Sequence, residues 1–181
     1  MTRLNARPSA ILALVASLVF TGCGGTVDFT IDEMMPIDTT VNAGTTVSAV
    51  DLAAEAGSAW KQRSKIDSVT IQHAEATVAV KDAANVATKI GGSVWLLPEG
   101  ATAQTAPGSV LVGSWTNQDV VVGNTISLTP TAELNAFVRN AFSGSGKFGI
   151  LTTGTGTTPP GARLACDLHV VMGAKLKWKA P

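Results

Sequence analysis

The sequence predicts an all-β protein, mainly an antiparallel β-sandwich, with one short inserted helix and an N-terminal signal peptide. Three observations predict it. From Val27 onward, short runs rich in Val, Thr and Ile are separated by Gly, Pro and Asn turn signals. In "DLHVVMGAKLKWKA", Leu168, Val170, Met172, Ala174, Leu176 and Trp178 fall on even positions. His169, Gly173, Lys175, Lys177 and Lys179 fall on odd ones, so one face of a long strand meets a core and the other meets water. Finally, only one segment past mid-chain has full helix grammar.

The elements follow in order. Arg3 and Arg7 form a positive start with no acidic residue, and Ala10 to Phe20 is almost unbroken apolar sequence. As a helix, that stretch rises only ~16 Å, about half of a ~30 Å hydrocarbon core, so a signal peptide fits better than a membrane span. Strands are expected at Val27–Ile31, Thr45–Leu52, Ser68–His73, Ala76–Lys81, Ser93–Leu97, Val110–Trp115, Thr125–Leu128 and Phe148–Thr152, before the closing strand. Val69 and Ile71 are apolar on odd positions, whereas Ala76, Val78 and Val80 are apolar on even ones. A one-residue slip swaps faces, so a bulge or bend is expected near His73–Glu75.

Thr129 as cap, Pro130 at the first helical position and Glu133 in the first turn open the helix. Leu134, Phe137, Val138 and Ala141 form its apolar stripe, and Gly144 closes it. A weaker helix is expected over Leu52 to Trp60. The run "TTGTGTTPP", residues 152–160, reads as a mobile loop. The Lys row on the last strand would discourage pairing if that strand lay at a sheet edge.

Phe20-Thr21-Gly22-Cys23 resembles the bacterial lipobox, in which an apolar residue and two small residues precede a cysteine. Phe20 stands where Leu is usual. The resemblance implies cleavage between Gly22 and Cys23, a diacylglyceryl group on the Cys23 thiol and acylation of the new amine. It also implies a location: with Gly24 rather than Asp after the cysteine, a lipid-anchored place in the cell envelope, the outer membrane if the cell is Gram-negative. Two or three acyl chains hold a protein firmly where one holds it marginally. The expected organisation is therefore a signal peptide over 1–22, a lipidated Cys and short tether over 23–26, and a β-sandwich domain over 27–181. The order of features in that domain resembles uncharacterised bacterial β-sandwich lipoproteins: "VDFTID" soon after the cysteine, then "IDSVTI", a short helix and the closing strand.

Composition limits the function classes. Without the leader's two arginines, 11 basic residues face 13 acidic ones, and no basic patch interleaved with aromatics indicates nucleic-acid binding. If Cys23 carries lipid, Cys166 has no partner in the chain and is expected as a buried apolar residue; otherwise a 23–166 bridge is the alternative. Cys166 and His169 fall on opposite faces of an extended strand, whereas Asp167 and His169 share one and can form an orienting pair. No G-x-S-x-G elbow supplies a serine, so a non-enzymatic protein is expected, with a cryptic hydrolase through His169 as a rival. His73, His169 and one free Cys do not make a zinc set, and Asp28, Asp32, Glu33 and Asp38 lack the spacing of a calcium loop. No metal or cofactor is expected. Trp95 and Trp178 read as core. Trp60, followed by Lys61, Arg63 and Lys65, is the one candidate ligand contact, able to stack on a sugar or rest at a lipid interface, though helix-end packing accounts for it as well.

The function expected from these features is a binding or assembly module that meets the membrane through its lipid anchor, with an envelope protein or glycan as partner. The alternative is a surface lipoprotein that binds carbohydrate or peptidoglycan through a sheet face or the 152–162 loop.

Overall fold

In the computed structural model, which describes residues 25–179, alternating apolar sequence becomes eight strands in two four-stranded sheets. In chain order these are β1 (Thr26–Asp38), β2 (Thr45–Asp51), β3 (Ile66–Lys81), β4 (Lys89–Pro98), β5 (Val110–Asp119), β6 (Thr125–Leu128), β7 (Lys147–Thr158) and β8 (Ala165–Trp178). One sheet runs β1-β8-β3-β6 and the other β2-β7-β4-β5, with every pairing antiparallel. That strand order is the double Greek key of a jelly roll. Both sheets and the core close within residues 25–179.

Period-two patterning places the core between the sheets. Val27, Phe29, Ile31, Met35 and Ile37 point inward from β1, and the even positions of β8 from Cys166 to Leu176 are all buried. Ile90, Val94 and Leu96 of β4 and Phe148 and Ile150 of β7 meet them from the facing sheet. The Lys row proves to stand on a central strand, because β8 lies between β1 and β3. The edges of that sheet are β1 and β6, and β1 tolerates Pro36 because an edge strand can spare a donor.

Several expectations change in detail. The two strands expected at Ser68–His73 and Ala76–Lys81 are one, β3, with register shifts that include Ile71/His73, beside the expected bend. The main helix, here α3, spans Ala132–Ser143 after two shorter ones, α1 (Leu52–Glu55) and α2 (Ser58–Lys61). Its cap is Thr131, not Thr129: the Thr131 side chain accepts from the Leu134 amide at 3.2 Å. The weaker helix expected over Leu52 to Trp60 is split by Gly57, whose φ of 47° only glycine adopts without strain, and a 3₁₀ turn, Arg63–Lys65, follows. The sandwich therefore carries α1, α2 and the 3₁₀ turn besides α3, where one short inserted helix was expected in the fold.

The expected mobile loop at 152–160 is largely strand. β7 continues to Thr158 and pairs with β4 up to Lys89↔Thr158. Its glycines serve close approach, not mobility: a Cβ on Gly154 would lie 2.9 Å from Ile37 Cγ2.

Candidate functional site

Three surfaces hold the residues that carried chemical expectations. Cys23 and Gly22 lie outside the described residues, but the fold shows where the chain leaves toward them. The Trp178 amide donates to the Gly25 carbonyl at 3.1 Å, and the Lys179 amide donates to the Lys65 carbonyl at 2.8 Å. Gly25, the end of β8 and the 3₁₀ turn therefore meet at one end of the sandwich. Cys166 lies near the start of β8, opposite Ile37, about twelve residues or ~40 Å from Trp178 at strand rise. The two residue steps from Gly25 back to Cys23 span only ~7 Å, so the 23–166 bridge is out of reach. Cys166 is buried on the inner face, and burial, reinforced by Asp167, pushes its thiol up to about 11.

Trp60 sits at this same end and packs down. Its ring lies 6.1 Å from Phe142, and it closes so tightly over Gly146 that a Cβ there would come within 2.4 Å of the indole. The Arg63 guanidinium lies 4.3 Å from the ring centroid and donates to the Trp60 carbonyl at 3.4 Å. A sugar would have to displace that cation, so the helix-end account of Trp60 describes it better than the stacking one.

Trp95 behaves differently from the core residue expected. It is half-buried on the outer face of the β2-β7-β4-β5 sheet, in a row running Val47, Leu151, Trp95, Leu111 across all four strands. Val47 and Leu111 are 41% and 38% exposed. The next row is all hydroxyl: Thr45, Thr153, Ser93 and Ser114. Trp95 Nε1 donates to Ser93 Oγ at 2.9 Å, and Ser93 Oγ lies 2.8 Å from Thr153 Oγ1, which fixes the indole against the sheet. A groove of about 360 Å³ borders this face, lined by Val47, Glu99, Ala101, Lys147 and Gly149 among others. The signal for Trp95 was present in "SVWLL": it shares strand phase with Ser93, while Val94 and Leu96 face the core.

On the outer face of the other sheet, His169 pairs with Asp32 of β1 at 2.5 Å rather than with Asp167. Its cross-strand neighbours are Met34 and Thr77, and Thr77 bonds to Thr125, so no nucleophile is hydrogen-bonded to the imidazole among the described residues. The four acidic residues near the N-terminus do not converge. Asp28 lies 3.9 Å from Lys175, Glu33 accepts from Ser48 at 2.6 Å, and Asp38 binds Arg163 at 2.7 Å. Among the described residues, no group of three His, Cys, Asp or Glu side chains is placed to hold a metal ion. Burial raises the Glu55 carboxyl above its ordinary range, and Glu33, Asp32 and Asp51 raise it further.

No protein-family model matches the chain, and no curated protein matches it. Among solved structures it is similar to a chain of Desmodium yellow mottle tymovirus, at 12% identity over 96% of each chain with a TM-score of 0.36. Turnip yellow mosaic virus gives 11% identity over 97% of this chain and 91% of that one, at a TM-score of 0.36. Mud crab tombus-like virus gives 10% identity over 100% and 92%, at 0.33. Likenesses at these TM-scores carry no argument, and the jelly-roll assignment rests on the strand order alone.

Proposed function

We propose that this protein is a lipid-anchored jelly-roll module of the cell envelope that binds or assembles with a partner and catalyses no reaction. The observation that carries the reading is the spacing at the tether. Only Gly24 separates the lipobox-like Cys23 from Gly25, the first residue bonded into the fold. An acyl group on Cys23 would hold the Gly25 end of the domain within ~7 Å of the lipid surface, so a protein partner would lie in or beside the same membrane. Metabolic labelling with palmitate and membrane fractionation test this. Wild type should be labelled and membrane-bound, and Cys23→Ser should be neither; a protein that is unlabelled in wild type contradicts the reading.

One observation favours a second reading, glycan binding. The fixed indole of Trp95 beside a row of four hydroxyl side chains offers a flat apolar platform next to hydrogen-bonding groups, and sugars present both kinds of surface. On that reading, soluble protein is retained on peptidoglycan or polysaccharide, and Trp95→Ala weakens retention at least ten-fold while Trp60→Ala does not. Equal retention of wild type and Trp95→Ala would remove the sheet face from consideration.

A further inference from the structure

Most of this domain's cations gather where the chain departs toward Cys23. Gly25–Val27, Ser58–Ile66, Arg139–Gly146 and Lys177–Lys179 meet at one end, through the Gly25–Trp178 and Lys65–Lys179 backbone bonds, the Thr26↔Lys177 pairing and the Trp60–Phe142 contact. Those segments contain Lys61, Arg63, Lys65, Arg139, Lys177 and Lys179, and the acidic residues that border them are Asp28, Asp51, Asp67 and Glu99, the last accepting from Ser145 at 2.7 Å. The rest of the leader-free chain has five basic residues against 13 acidic ones. A domain that is net negative thus gathers six of its 11 cations at one end.

At that end lies a polar cleft of about 500 Å³, lined by Arg63, Ser64, Arg139, Ser143 and Lys179 over a floor that includes Phe142. Among the described residues, none of its three cations has a carboxylate within 4 Å. Stacking on Trp60 holds Arg63 in place, and donation to the Trp60 carbonyl uses one of its five donors. Unpaired cations and hydroxyls around a cavity suit a phosphate, since guanidinium groups bind its oxygens in pairs.

We infer that this cleft binds the phosphate of an anionic phospholipid headgroup, so that the domain docks on the bilayer in one orientation. The inference rests on the anchored reading proposed above for its setting, because the tether delivers this end to the lipid surface. Each basic group beside an anionic surface strengthens binding by roughly five-fold at moderate salt. A lipid anchor alone leaves the domain free to tumble; the cleft fixes which face a partner meets.

The test uses residues 24–181, whose sheets and core close without the leader, and vesicles of phosphatidylcholine with or without phosphatidylglycerol. Wild type should sediment with the phosphatidylglycerol vesicles and not with the neutral ones, and added salt should release it. Arg139→Gln with Lys179→Gln should weaken binding roughly twenty-five-fold. Both side chains are exposed, so the fold is expected to persist. Lys81→Gln, at the far end of β3, should leave binding unchanged. The proposal falls if wild type ignores phosphatidylglycerol, or if Lys81→Gln weakens binding as much as the cleft variants. It falls also if inorganic phosphate binds the cleft as tightly as the vesicles do, which would make it a free-ion site. None of these readouts involves Cys23, so a failure here is separate from a failure of palmitate labelling.

Discussion

Asp38 illustrates how single residues hold the ends of the sandwich. The Arg163 guanidinium, with the Thr40 amide and hydroxyl, keeps its carboxyl well below the usual carboxylate range. The contact joins the end of β1 to the chain entering β8. A carboxyl depressed in the folded state stabilises the protein above the ordinary Asp pKa, about 4, and that contribution drains away as the pH falls below it. Arg163→Gln should therefore lower the urea midpoint at pH 7, and the gap from wild type should narrow steadily below about pH 4. Urea titrations at several pH values check this. A gap independent of pH would mean that Arg163 acts through packing alone. Neither partner was singled out from sequence as part of a pair, because 125 residues separate them and only the β1–β8 register brings them together.

Elements were legible where one face is wet and one is dry. β6 and β2 match their expected spans within a residue, and the alternation of β8 reads directly off Leu168 to Trp178. β7 was cut short because glycine and threonine resemble a loop when nothing shows what presses against them. Ile37 and Leu164 press against Gly154. Gly154→Ala should accordingly destabilise the protein by ~1–3 kcal/mol, the usual cost of overpacking, measured by urea denaturation. An unchanged midpoint would restore the mobile reading of 152–160. At α3, Thr131→Ala should cost ~1 kcal/mol through loss of the bond to Leu134, whereas Thr129→Ala should cost little. The reverse ranking would put the cap back at Thr129. Sequence grammar names Thr129 alone; the bond from the Leu134 amide to the Thr131 side chain is what sets the cap two residues later.

At the scale of the molecule, the jelly roll gathers six cations at the Gly25 end and carries Trp95 on the outer face of the β2-β7-β4-β5 sheet. The sandwich was readable from patterning, but its strand order was not, since pairing depends on which hydrophobic faces meet across long loops. The same limit hid the candidate surfaces: Trp60, Arg139 and Lys179 are far apart in sequence and adjoin one another only through α3 and the end of β8. Trp95 could have been placed from its phase with Ser93, and a core assignment overlooked that phase. The proposed anchor rests on four residues, Phe20 to Cys23, that lie outside the described fold. The proposed docking of the Arg63–Arg139–Lys179 cleft on a membrane depends on it for its setting. The most direct measurement is mass spectrometry of the N-terminal peptide of the protein isolated from its own cells. The account predicts a chain that begins at Cys23 and carries diacylglyceryl and acyl mass; an unmodified Cys23 in a chain that retains residues 1–22 would contradict it.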